Sequence, residues 1–526
     1  MTEGHQIDII KTIEAIVKLP AKKRLNAIID HKEPLKLVRA LSSHDILLTI
    51  REIGAEDALE LVELLDASQV QDLLDLEIWD NDKLNPQKAG HYFSLLFEAN
   101  ADRAVSQIHG LDIELIGMMM KMVASIYDTS LGEEPYEYSN IYTESPGGRF
   151  IICFSDEPEQ RGLSQALRSY IESLYGRDMK FVLGLIENIR FELSSGLEEF
   201  SHRLREGRLL DLGLLPRDER LAFFATISPG QLTGAQPVKL EKTHGSFLIK
   251  SLSENISSAY PFLQRGIAQC SADEQASLLD YLSYITINMH ASLTHDFGDR
   301  EQMAETANYT KALGEIALMQ ITQGDINQAH EVLRANSLKN IIRLGRTSLV
   351  NLRRLLQAKM RDDDYLLGPD FCYLDSPLRE VARALCLSEP RFYEGLLDPK
   401  KLTLRFFSHI NDIDATLKAV NEIKFRSLLL GPKYLGCTKE MLKQHHSISH
   451  AQIYGRFLVN SYLDKTMLAD ISTHDLKKIS SKEFNAFAKS QAHSLSERLS
   501  YDAERIHNFS TSVLILLEQN YALLLG

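Results

Sequence analysis

Three stretches that follow one another without a gap decide the fold: LSSHDILLTIREIG (41–54), AEDALELVELLD (55–66) and ASQVQDLLDLEIWD (67–80). Each opens near a small or acidic residue suited to a first helical turn. Each then carries leucine-type side chains three and four apart. The repeat is about 13 residues, too short for a tetratricopeptide or ankyrin unit, and it suits helices of two to three turns. No such helix can bury its apolar face alone, so stacking on its neighbours must do so. Upstream, Ile7, Ile10, Ile13, Ile16 and Val17 form another stripe. Leu19-Pro20 ends it, because the residue before a proline is pushed out of the helical region. Residues 1–130 therefore read as a short-helix, solenoid-like superhelical domain.

Outward from there the texture changes once. Between 134 and 154, Tyr136, Tyr138, Tyr142, Phe150, Ile151, Ile152 and Phe154 flank Ser145-Pro146-Gly147-Gly148. Strand formers around a turn predict a β-hairpin inserted in a helical region that spans 131–225. Residues 226–246, TISPGQLTGAQPVKLEKTHGS, are rich in Pro, Gly and Thr and read as a linker. Residues 247–526 return to helical spacing and read as a C-terminal all-helical domain. Within them Gly314, Gly324-Asp325 and Ala329 mark a helical hairpin. The expected fold class is mainly α.

Composition narrows the function. The chain has 526 residues, 44% apolar and 25% charged, which is the balance of a globular protein with about two to four domains. A net charge of −14 argues against phosphate-backbone binding, so no nucleic acid is expected as a partner. No apolar run reaches the roughly 18 residues of a membrane span, so no membrane insertion is expected. The opening MTEGHQIDIIKTIEAIVKLP lacks the basic flank and cleavage site of a signal peptide. Cys153, Cys270, Cys372, Cys386 and Cys437 are odd in number and form no C-x-x-C pair. A reducing cytoplasm is the expected compartment.

Residues 34–79 resemble the N-terminal superhelical domain of bacterial magnesium channels of the MgtE type. LLDLEIWDNDKL (73–84), YTESPGGRFIICF (142–154) and RLREGRLLDLGL (203–214) resemble an uncharacterised family of bacterial cytosolic proteins, a domain of unknown function. That resemblance covers roughly the first 230 residues and implies no activity. The nucleotide-binding modules and pore of the channels do not follow here, so transport is not implied.

Candidate chemistry is sparse. Asp80, Asn81 and Asp82 after Trp79 are similar to the opening of a calcium loop, but Asn85 and His91 stand where such a loop needs Gly and Glu. Trp79, Asp80 and Asp82 are instead candidates for an interaction corner. Burial of the indole is the favoured state, because large aromatics are mostly buried. His446 and His450 have the i,i+4 spacing of two zinc ligands. His290 and His295-Asp296 with Asp299 are similar to a metal phosphohydrolase pattern. Lys339, Arg343, Arg346 and Arg353 recur on one helical face and could meet an acidic partner. There is no G-x-S-x-G, no G-x-x-x-x-G-K-[ST] and no G-x-G-x-x-G between strand and helix. The reading is a non-catalytic scaffold or regulatory protein that binds another protein and needs no cofactor. The alternative is a hydrolase that uses a divalent metal held by the histidines.

Overall fold

Ser42 accepts the Asp45 amide at 3.1 Å and starts the helix Ser43–Ile53. One 3₁₀ turn then leads into Leu59–Leu64. Asp66 and Gln69 close a capping box on Ala67–Glu77. The three repeats are thus three short helices, and the first and third are begun by a side chain that takes up amides no helix turn can reach. Their leucines point inward: Leu47, Leu61 and Leu73 are all buried. Each such burial stabilises by roughly 2 kcal/mol. The computed structural model describes residues 3–232, 246–294, 296–443, 448–499 and 503–519. Among these the chain is mainly α, with sheets of only two or three strands.

The hairpin is present as Ile141–Glu144 and Phe150–Phe154, with Thr143 opposite Ile152. Gly147 and Gly148 have φ of 89° and 72°, a region that L side chains enter only at a cost. A third strand, Ala124–Asp128, pairs with the other side of Phe150–Phe154. The sequence reading did not include it. Phe150, Ile152 and Phe154 belong to the same core as the N-terminal helices, so the sheet is built into that core.

Two compact units emerge, Met1–Ala225 with Gly230–Arg343, and Thr226–Pro229 with Leu344–Gly526. The division falls inside the helix Leu338–Asp363, whereas the sequence reading places a boundary at 226–246. Residues 233–245 lie outside the described residues. The reason for the difference is visible just beyond them. Asp45 accepts the Ser246 hydroxyl at 2.6 Å and the Phe247 and Leu248 amides at 2.9 Å each. That buried carboxylate starts the helix Phe247–Glu254. At its other end Lys311 Nζ donates to the carbonyls of Leu252 at 2.9 Å and Asn255 at 3.0 Å. An anion at the N-terminus and a cation at the C-terminus both oppose the helix dipole. The helix Phe247–Glu254 is thereby fastened within the first unit.

The second unit packs the helices Ile410–Leu430, His450–Tyr462, Ser481–Leu499 and Ala503–Gln519 around Leu429, Tyr454, Leu458, Phe484 and Phe509. No helix of the described residues is long and apolar enough to cross a membrane.

Candidate functional site

Trp79-Asp80 pairs antiparallel with Lys83-Leu84. Asn81, at φ 59°, makes the tight turn between them, and Asn is one of the few side chains that tolerates this region. The acidic stretch is therefore a hairpin. Asp80 accepts from Lys88 Nζ at 2.6 Å and Asn85 Nδ2 at 2.7 Å, bonds that hold its carboxyl below the usual range. Asn85 in turn caps the helix Pro86–Ala99.

Beside this hairpin lies a cleft of about 820 Å³, wholly within the first unit and bordered by Arg51, Glu77, Trp79, Asp80, Lys88 and Asp296. Arg51 Nη2 stands 3.2 Å from both Asp296 oxygens, and Nε stands 3.6 Å from Glu77. Tyr92 donates to Glu77 at 2.9 Å. Burial pushes the Glu77 carboxyl up, against the pull of Arg51 and Tyr92. Burial and the neighbouring Glu77 push the Tyr92 phenol up as well. The exposed Glu56 and Asp57 add negative charge at the rim. The charges of the floor are held by partners from the same chain. That fixed frame suits recognition of a complementary charged surface.

Trp79 forms a wall of the cleft and is 6% exposed. The Arg205 guanidinium lies 4.9 Å from its ring centre and donates to the carbonyls of Asp75 at 3.0 Å and Asn81 at 3.2 Å. The indole N–H, though buried, has no acceptor among the described residues.

Residues 5–519 match a model of the family of unknown function DUF6178. The chain belongs to this family. No curated protein and no solved structure matches it. The DUF6178 match runs far beyond the roughly 230 residues that carry the resemblance in sequence.

Elsewhere in this DUF6178 chain the sequence candidates are spread apart. The basic stripe meets internal partners: Lys339 lies 4.8 Å from the Phe223 ring centre, and Arg343 donates to the Ala225 carbonyl at 2.8 Å. Arg346 grips Glu389 through Nε at 3.0 Å and Nη2 at 2.7 Å. Arg353 donates to the carbonyls of Leu385, Leu387 and Ser388 at 2.8–2.9 Å, where the helix Leu378–Cys386 ends. His290 is fully buried, with Nε2 donating to the Asp296 carbonyl at 2.8 Å and Nδ1 3.1 Å from Thr306 Oγ1. His450 is also fully buried and donates from Nε2 to the Leu366 carbonyl at 2.7 Å. His295 and His446 lie outside the described residues. Among the described residues no three His, Cys, Asp or Glu side chains are placed to share a metal ion. The cysteines are free thiols.

Of the sequence candidates among the described residues, Trp79, Asp80 and Asp82 come together. Arg51, Glu77, Tyr92 and Arg205 were missed, and Asp296 was singled out for a metal pattern rather than for this cleft. Their spacing carries no local signal, because helix packing alone brings residues more than 200 apart to one place.

Proposed function

We propose that this DUF6178 protein is a non-catalytic scaffold or regulatory protein of the bacterial cytoplasm, and that the cleft at Trp79 receives another protein. One observation supports the reading above others. The cleft is a frame of ion pairs, Arg51 with Glu77 and Asp296 and Lys88 with Asp80, rimmed by the exposed acids Glu56 and Asp57. Such a frame steers and orients a charged surface. A metal hydrolase built on the histidines has less support, since His290 and His450 are each hydrogen-bonded into a core.

The test uses the tagged full chain purified from its native cells. A protein recovered in stoichiometric amount with the wild type should be lost with the double variant Glu56→Lys, Asp57→Lys. Both residues are exposed, so the melting temperature should not move. Recovery of the same partner by the variant would remove the cleft from the reading.

A further inference from the structure

A second, smaller cavity of about 80 Å³ shares Trp79 with the cleft and is also wholly within the first unit. Three arginines border it: Arg205, Arg217 and Arg220. Three carboxylates border it too, and among the described residues none of them forms an ion pair with these arginines. Asp75 is held by Arg208 through Nε at 2.5 Å and Nη2 at 3.1 Å. Asp82 lies 3.2 Å from His202 Nε2, and Glu206 lies 3.9 Å from His202 Nδ1.

The three guanidiniums make no ion pair among the described residues. Arg205 gives its N–H groups to the Asp75 and Asn81 carbonyls, and Arg220 donates to the Leu215 carbonyl at 2.5 Å. Arg217 is exposed one helical turn from Arg220, on the helix Arg217–Phe223. Burial first, then the repulsion of Arg220, pulls the Arg205 guanidinium down to about 10 against the opposing Asp75, Asp82 and Glu206. Burial and Arg217 likewise lower Arg220, against Glu206. Like charges held side by side at a partly buried site repel one another, and a bound oxyanion accepting from them would offset that repulsion. The Trp79 indole N–H, buried and without an acceptor, calls for the same kind of ligand. A donor is satisfied by an oxygen.

We propose that this cavity binds a small tetrahedral oxyanion, phosphate or the terminal phosphoryl group of a small molecule, held by Arg205, Arg217, Arg220 and the Trp79 N–H. The volume admits a small oxyanion, since a water needs about 10–15 Å³ of such space and the cavity offers several times that. Guanidinium forks match the edge of a phosphate oxyanion and form the stronger, charge-assisted class of hydrogen bond. The site is independent of the partner-binding reading.

Trp79 is the chain's single tryptophan, so it reports on its own site. At neutral pH and constant ionic strength, inorganic phosphate should change the tryptophan emission saturably, and chloride should not. Equilibrium dialysis with radiolabelled phosphate should give one ion per chain. Arg217→Gln should weaken binding about tenfold, the loss of one charge-assisted bond, with the melting temperature unchanged because Arg217 is exposed. Arg220→Gln, which also loses the Leu215 contact, should weaken it further. A glycerol phosphate arm separates the sources: equal saturation assigns a phosphoryl group on a small molecule, and binding of inorganic phosphate alone assigns the free ion. Absence of phosphate in dialysis at millimolar concentration would overturn the proposal. So would an affinity unchanged by both arginine substitutions, or a chloride response of equal size.

Discussion

His450 shows how a single side chain in this protein trades charge for burial. Its ring is fully buried, its Nε2–H is given to the Leu366 carbonyl, and burial pushes its pKa down to about 4. In the unfolded chain it titrates near 6.5. The unfolded state therefore binds more protons below that value, so the contribution of His450 to stability is complete above about 6.5. It is lost as pH falls toward 4. Between neutral pH and pH ~4.5 the loss comes to roughly 2 kcal/mol, at 1.36 kcal/mol per unit. Buried acids act in the opposite sense over part of this range, Asp72 among them with its carboxyl raised to about 6 by burial. The slope must therefore be read as a difference. Urea unfolding of wild type and His450→Gln at the two pH values should show the variant losing about 2 kcal/mol less. Equal losses would mean that His450 is charged in the fold.

At the scale of elements, glycine positions separate two kinds of constraint. A Cβ on Gly90 would meet the Leu163 backbone nitrogen at 2.5 Å, where the helices Pro86–Ala99 and Arg161–Tyr175 cross. Gly147 and Gly148 have open space around them, but their φ is positive. Gly90→Ala should therefore cost about 2–3 kcal/mol through displaced backbone. Gly147→Ala and Gly148→Ala should each cost about 1 kcal/mol through strain alone. Thermal melts of the three variants test the ranking, and a reversed order would show that the crossing can open. The hairpin turn was readable because Ser145-Pro146-Gly147-Gly148 sits between strand formers. Gly90 gave no such sign, and neither did Ala124–Asp128. The run from Met118 to Tyr127 carries helix formers straight into the strand, and only pairing with Phe150–Phe154 sets where one ends.

For the whole molecule, Asp45 alters what a cut between 226 and 246 should do. Exposed, Pro- and Gly-rich sequence is where proteases enter first. Yet Ser246, Phe247 and Leu248 bond to Asp45, and the Leu215 amide donates to Asn288 Oδ1 at 2.8 Å. Residues before and after the cut share one unit. Limited proteolysis should thus yield two fragments on a denaturing gel that elute together from a native sizing column. Separate elution would show that the halves fold independently and that these contacts are weak.

Apolar spacing and capping residues, both local, determined from sequence the helical class, the three N-terminal short helices and the hairpin turn, while the family without assigned activity came from the resemblance of particular motifs. They could do so because helix and turn are settled by residues within a few positions of each other. Only the tertiary structure decided what faces what. It placed Arg205 over Trp79, closed Arg51 on Asp296, turned Lys339, Arg343, Arg346 and Arg353 toward internal partners, and gathered Arg205, Arg217 and Arg220 around one small cavity. Such meetings depend on packing between helices distant in the chain. Spacing along the sequence carries no trace of them, because the energy that selects them is the burial of apolar faces summed over a whole unit.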